Sequence, residues 1–176
     1  NKGLFVLKPL IKKIYRFIFR LQKHDSELKY WKTRFEAEKG HFYNEHYRKL
    51  MLAMAHQADD EFLRDKIVVD FGCGPRGSLV WAAAARMRIG IDVLADLYMN
   101  HFAEELLTHN MVYLKCTESA IPMPDASVDV VFTMNALDHV ANLDVMCREI
   151  LRILRPGGQL IASLNLNEPP AVTEPQ

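Results

Sequence analysis

A chain of 176 residues with 49% hydrophobic and 25% charged residues is long enough for one domain with a real core, and its formal net charge of zero removes any global bias toward nucleic acid or a membrane surface. The three cysteines, Cys73, Cys116 and Cys147, match no zinc-ligand spacing and are too sparse for a disulfide framework, so no metal is expected and a reducing, cytoplasmic compartment is. No apolar run reaches the roughly 18 residues that a membrane-spanning helix needs.

Charge is unevenly distributed along the chain. Residues 1–35 carry ten Lys or Arg against two Asp or Glu, and residues 36–176 carry twelve against twenty. The first residue is Asn1 rather than Met, which reads as a trimmed terminus. In the basic arm, Leu7, Leu10, Ile11, Ile14, Phe17, Ile18 and Leu21 recur at helical spacing among lysines and arginines. Segment 8–23 therefore reads as a basic amphipathic helix. Its apolar face either docks on the domain or on a second copy, the favoured reading, or lies on an anionic membrane as a peripheral contact. A second helix is expected over Ser26–Lys39, capped by Asp25 or Ser26 and ended by Gly40. A third is expected over Asn44–Leu63, with Tyr47, Leu50, Met51, Met54 and Phe62 on its apolar side.

From residue 66 the pattern alternates between strand and helix. Strands are expected at Lys66–Phe71, Met87–Ile91, Met111–Lys115, Val128–Thr133 and Gln159–Leu164. Helices are expected at Ser78–Arg86, Ala95–Thr108 and Leu143–Leu154. Repeated strand–helix units with nearly continuous apolar strands imply an α/β, Rossmann-like, doubly wound parallel sheet with an N-terminal helical extension. The division is residues 1–65 as a helical arm with lid helices, 66–166 as the Rossmann-like domain, and 167–176 as an irregular Pro-rich tail.

The richest segment is Ile67-Val-Val-Asp70-Phe-Gly72-Cys-Gly74-Pro-Arg-Gly77-Ser78, a strand running into a G-x-G-x-x-G turn and then a helix-forming stretch. Glycines let a ligand approach the backbone, and a helix N-terminus offers unpaired N–H groups. The spacing, with Asp92 after the second strand, also satisfies a dinucleotide fingerprint, so a nicotinamide-dependent oxidoreductase is one alternative. Asp70 points the other way, because a carboxylate two residues before the first glycine repels a pyrophosphate and suits an ammonium-bearing ligand.

Together with IGID, ESAIPMPDASVDVVF, NALDHV and LRPGGQLI, the turn VVDFGCGPRGS resembles the class I S-adenosylmethionine-dependent methyltransferases, in particular the small-molecule group called type 11, over residues 66–166. The resemblance implies S-adenosyl-L-methionine as cofactor and S-adenosyl-L-homocysteine as product. It implies that the backbone of Phe71, Gly72, Cys73 and Gly74 runs beneath the methionine part, and that Asp70 holds the loop or faces the amino group. It further implies that Asp92 accepts from both ribose hydroxyls, a diol suiting a carboxylate with two oxygens. Val93 packs on the adenine, Thr117, Glu118 and Ser119 flank it, and Asn135 and Ala136 lie near the sulfonium and its methyl group. Thr117 departs from the family, which often has an Asp in that region to contact the exocyclic amine. Cys73 reads as a buried filler.

Methyl transfer from a sulfonium needs positioning and exclusion of water more than a special side chain. For a hydroxyl acceptor a general base helps, and His139, beside Asp138 past the fourth strand, is the candidate. Trp31, Arg34, His41, Tyr43 and His46 are candidates to cover the site, but core or surface roles are favoured. The expected acceptor is a small molecule or a lipid or glycan intermediate, not nucleic acid, since the body is acidic and the basic residues gather on one apolar-faced helix. The family fold adds two further strands as an antiparallel hairpin, and the chain stops at Gln176 before either. The expectation is therefore a fragment, a partner-covered edge, or an inactive, partner-dependent cofactor-binding module.

Overall fold

A computed structural model describes residues 23–164. The expectations for segment 8–23, apart from Lys23, and for the tail 167–176 fall outside that range.

Helix α1 occupies residues 23–37 of the described range, so Asp25 and Ser26 lie within helix and do not cap it. Its end is as read: Lys39 (φ 60°) and Gly40 (φ 80°) turn left-handed, and the Gly40 N–H donates to the Phe35 carbonyl at 2.9 Å. The long helix expected over Asn44–Leu63 is broken. Helix α2 spans Glu45–Ala55 and stops at His56 (φ 53°), and a separate short 3₁₀ turn follows at Asp60–Leu63. Tyr47, Met51 and Leu52 are its buried residues, whereas Leu50 is exposed.

Strands β1 (Ile67–Phe71), β2 (Met87–Asp92), β3 (Val112–Lys115), β4 (Val128–Met134) and β5 (Leu154–Ser163) form one sheet in the order β3-β2-β1-β4-β5. Every pairing is parallel. Helices α3 (Ala95–Thr108) and α4 (Leu143–Ile153) complete the strand–helix units. Successive strand residues face opposite sides. Val69, Phe71, Ile89, Ile91 and Val131 pack with Met146, Ile150 and Ile153 of α4 on one face. Val68, Val130 and Phe132 pack with Tyr47, Met51, Leu79 and Ala82 on the other. A third cluster joins Trp31 and Phe42 to Leu94, Tyr98, Phe102 and Leu106, fastening α1 against α3.

The helix expected over Ser78–Arg86 does not form. Successive tight turns replace it, with the N–H of Val80, Ala82 and Ala85 each donating three residues back, to Gly77, Leu79 and Ala82 at 3.0, 3.0 and 3.1 Å. The Ala84 N–H is captured by Asp60 Oδ2 at 2.9 Å, and its carbonyl accepts from the Asp65 N–H at 3.2 Å. These tertiary bonds override the helix propensity of the alanine run. Strand β5 also begins earlier than expected. It meets Val128 through Leu154, leaves the ladder, and rejoins at Gln159 opposite Val130.

The loop after β3 is tied down from α4. The Arg152 guanidinium donates to the carbonyls of Met123 at 2.8 Å and Ile121 at 2.9 Å, and the Glu149 carboxylate accepts from the Ile121 N–H at 2.8 Å.

Candidate functional site

The carboxyl ends of β1, β2 and β4 meet at the glycine turn, where ligands bind in open parallel sheets. Gly72 and Gly74 have φ of 77° and 55°, a conformation that a side chain disfavours. Close approach adds a second requirement. A Cβ on Gly72 would lie 2.2 Å from Ala136 Cβ, and one on Gly74 would lie 2.9 Å from Trp31 Cζ2. Ala136 thus sits under the turn from the β4 side, while the α1 indole lies on it.

Three amides of the turn are committed to β2. The N–H of Gly72 and of Cys73 donate to the Ile91 carbonyl at 2.8 and 3.4 Å, and the Gly74 N–H donates to Asp92 Oδ2 at 3.1 Å. Asp92 Oδ1 accepts from the Leu94 N–H at 2.9 Å. Each Asp92 oxygen therefore holds one backbone donor and has lone-pair capacity for a second, a capacity matched to a vicinal diol. With the amides of Gly72, Cys73 and Gly74 engaged and no helix after it, the turn lacks the helix N-terminus that a pyrophosphate uses.

Electrostatics point the same way. Asp70 and Asp92 are 4% and 6% exposed. Burial pushes Asp70 up from the ordinary 3.8 to about 7, opposed by the hydrogen bond that the Ser78 hydroxyl donates to it and reinforced by the charge on Asp92. Burial raises Asp92 as well, with Glu27 adding repulsion and the two backbone N–H groups pulling it down. A site with two buried carboxylates favours a cationic ligand and penalises an anionic one. S-adenosylmethionine, a sulfonium with a ribose diol and an ammonium group, fits these acceptors, whereas the pyrophosphate of a dinucleotide does not.

Of the two roles expected for Asp70, the structure displays loop-holding, through Ser78. Phe71 buries its ring in the α4 face of the core, and Cys73 is buried against Gly90 as the filler that was expected. Burial holds the Cys73 thiol well above its ordinary range. Val93 is partly buried between the α3 and α4 clusters. The Cys116 N–H donates to the Asp92 carbonyl at 3.1 Å, bringing the end of β3 to this corner. The next residue, Thr117, is exposed and accepts from the Ser119 N–H at 3.3 Å. Glu118 Oε1 lies 3.9 Å from His24 Nε2. Asn135 (φ 48°) is held by β5, its N–H donating to the Ser163 carbonyl at 3.1 Å and its Oδ1 accepting from the Ser163 hydroxyl at 3.0 Å. His139 ends a short 3₁₀ turn with Nε2 4.0 Å from Asp138 Oδ2.

The sequence reading did not single out the start of α1. Lys23 Nζ donates to the His139 carbonyl at 2.7 Å, and Glu27 accepts from the Tyr98 hydroxyl at 3.1 Å and adds repulsion at Asp92. Trp31, favoured as a core residue, is buried in the core and also covers Gly74. The signal was present as Lys23, Glu27 and Trp31 at successive four-residue spacing, one stripe of a helix. Among the other covering candidates, His41 Nδ1 contacts Glu105 at 2.8 Å, and Arg34 lies 3.9 Å from Glu38.

Residues 69–162 match the family described as "Methyltransferase domain". An uncharacterized methyltransferase of Mycobacteroides abscessus is 31% identical over 119 residues, covering 65% of this chain and 45% of the relative. A ubiquinone/menaquinone biosynthesis C-methyltransferase of Hahella chejuensis is 32% identical over 90 residues, covering 50% of this chain and 33% of the relative. The crystal structure of the YcgJ protein from Bacillus subtilis superposes with a TM-score of 0.52 at 24% identity, covering 65% of this chain and 48% of that one, which is a likeness of fold. The chain thus spans less than half the length of these relatives. The family match runs over more than half of the residues and removes the nicotinamide alternative. With glycine turn, strand order and family match in agreement, the chain belongs to the methyltransferase domain family, the class I S-adenosylmethionine-dependent methyltransferases.

Proposed function

We propose that this chain binds S-adenosylmethionine at the glycine turn and transfers its methyl group to a small-molecule acceptor or a lipid or glycan intermediate in the cytoplasm. The observation that carries the reading is the pair of buried carboxylates, Asp70 and Asp92, around a turn whose Gly72, Cys73 and Gly74 amides are already engaged. When bound, the cofactor supplies a methyl group on a positively charged sulfur.

The residues divide the work. Asp92 accepts from the ribose hydroxyls with the free acceptor positions of its two oxygens. The backbone from Phe71 to Gly74 lies under the methionine part, and Asp70, through Ser78, keeps the turn in shape. Val93 and the Thr117–Ser119 turn flank the adenine. Asn135 and Ala136 border the methyl group, and the contacts of Asn135 with Ser163 fix that border. For a hydroxyl acceptor, His139 takes the proton at its imidazole as the oxygen attacks. The quinone-biosynthesis relative supports an acceptor of lipid character. The basic segment 8–23 suits contact with an anionic membrane or a second copy, which flotation with anionic liposomes separates.

The test begins with calorimetric titration of the purified chain. S-adenosylhomocysteine should bind and NAD should not; the reverse pattern would sink the assignment. Labelled methyl groups should then appear on members of a panel of hydroxyl, amine and carbon acceptors, and that product would exclude an inactive cofactor-binding module. Replacing His139 by Ala should lower kcat on a hydroxyl acceptor by roughly a hundredfold or more while leaving S-adenosylhomocysteine affinity intact. Unchanged kcat would remove His139 as the base.

A further inference from the structure

Trp31 is 2% exposed and lies with one edge of its indole on the glycine turn. A Cβ on Gly74 would be 2.9 Å from Cζ2 and 3.4 Å from Cε2, the ring atom bonded to Nε1. The ring is fixed by edge-on contacts with Tyr30 and Phe42, at centroid distances of 5.1 and 6.0 Å. Its Nε1–H is nevertheless sealed from water and has no hydrogen-bond partner. A buried donor without an acceptor loses its hydration and receives nothing in exchange, so native proteins seldom keep one without a reason.

The missing acceptor can be identified by chemistry. Near the turn, the methionine part of the cofactor offers an ammonium, which only donates, and a carboxylate, which only accepts. That carboxylate enters a corner already holding the Asp70 and Asp92 carboxylates and needs a donor to offset them. The turn amides of Gly72, Cys73 and Gly74 are committed to β2. The Arg76 guanidinium, 5.7 Å from the Trp31 ring centroid, brings positive charge, but its terminal nitrogens already donate to Glu38 and to the Tyr43 carbonyl. Of the donors at the turn, the indole N–H is the side-chain donor that the fold seals from water with no acceptor.

We propose that Trp31 Nε1–H donates a hydrogen bond to the α-carboxylate of the bound cofactor, making Trp31 a positioning residue for the methionine part. The proposal rests on the S-adenosylmethionine reading of the turn. Because the N–H is sealed, the proposal requires the described start of α1 to move aside when the cofactor binds. That end is held by side-chain contacts, Lys23 to the His139 carbonyl at 2.7 Å, the Tyr98 hydroxyl to Glu27 at 3.1 Å, and His24 to Glu118 at 3.9 Å.

The experiment pairs Trp31→Phe with two ligands, S-adenosylhomocysteine and its decarboxylated analogue S-adenosyl-3-thiopropylamine. Phenylalanine keeps a ring on Gly74 and removes the N–H. S-adenosylhomocysteine should bind Trp31→Phe about tenfold more weakly than the native chain, while the analogue binds the two proteins within roughly twofold. Equal weakening of both ligands, or none for S-adenosylhomocysteine, overturns the proposal. A second readout uses the native chain alone. Trp31 and Trp81 are its two tryptophans, so its nitrogen–proton spectrum holds two indole signals. The Trp31 signal should move downfield on saturation with S-adenosylhomocysteine and less with the analogue. A Trp31 signal that stays in place overturns the proposal even where Trp31→Phe fails to fold. Native chain that binds neither ligand removes the cofactor reading itself, and the proposal with it.

Discussion

Asp92→Asn separates the cofactor role proposed for this carboxylate from its structural one. In the native chain Oδ1 holds the Leu94 N–H at 2.9 Å and Oδ2 the Gly74 N–H at 3.1 Å, leaving one acceptor position on each oxygen. Asparagine keeps one accepting oxygen and turns the other position into a donor. One ribose hydroxyl then loses its partner, and one backbone N–H faces another N–H. A hydrogen bond to a charged group contributes about 1.5–3 kcal/mol, so S-adenosylhomocysteine should bind about ten- to a hundredfold more weakly. Folding stability has two opposing changes. The lost backbone bond destabilises, whereas removing a buried carboxylate whose ionised form is disfavoured by burial and by Glu27 stabilises. The net change at neutral pH should stay within about 1 kcal/mol. Calorimetric titration and urea denaturation on the same preparation read the two quantities. Affinity within about twofold of native, with a stable fold, would refute the placement of the ribose at Asp92.

Three further outcomes follow from the geometry. Asp70 has its affinity for a proton raised from 3.8 to about 7 in the folded chain, so between those values the folded state holds a proton that the unfolded state releases. Its contribution is present below the lower value and is lost as pH rises through the upper one. Asp70→Asn should flatten that fall in urea-denaturation midpoint, and an identical pH profile would refute the burial of its charge. S-adenosylmethionine, being cationic, should bind with release of protons near neutral pH, seen as a dependence of binding enthalpy on buffer ionisation heat; no such dependence would contradict the two-carboxylate site. Gly72→Ala should destabilise by about 2–4 kcal/mol, because its Cβ meets Ala136 at 2.2 Å and its φ is 77°. Gly40→Ala, at φ 80° with open space around it, is the control and should cost only about 1 kcal/mol in urea denaturation; equal losses would deny the close contact.

Much of this fold was legible because its strongest signals are local. Helix α3 lies at Ala95–Thr108 as read, and β1, β2 and β4 fall within a residue of expectation, since buried parallel strands advertise themselves as β-branched runs. The misreadings came from tertiary bonds and from an unusual terminator. The alanine run after Ser78 has helix propensity, but Asp60 and Asp65 capture the backbone of Ala84. Helix α2 ends at a left-handed His56, where glycine would have been the sequence signal. At the candidate site, Asp70, Gly72, Gly74 and Asp92 stood out by spacing, and the structure bonds Gly74 to Asp92, Gly72 to Ile91 and Ser78 to Asp70. The face that α1 presents was not, because which stripe of a helix turns toward a neighbour is decided by packing at long range. Lys23, Glu27 and Trp31 met the turn only once the chain was folded.

The interruption in β5 bears on how this sheet tolerates changes in chain length. Leu154 pairs with Val128, and Gln159 resumes the ladder at Val130, so the two stretches are anchored independently. Between them Gly157 stands at φ 80° with open space around it. Residues inserted or deleted at Gly157 would leave the pairs from Val130–Gln159 to Met134–Ser163 in register. A single-residue change inside Gln159–Ser163 would instead turn every following side chain to the opposite face and carry Ser163 away from Asn135. The edge strand therefore keeps its freedom to vary in length at the end remote from the glycine turn, and its fixed length at the end that shapes it.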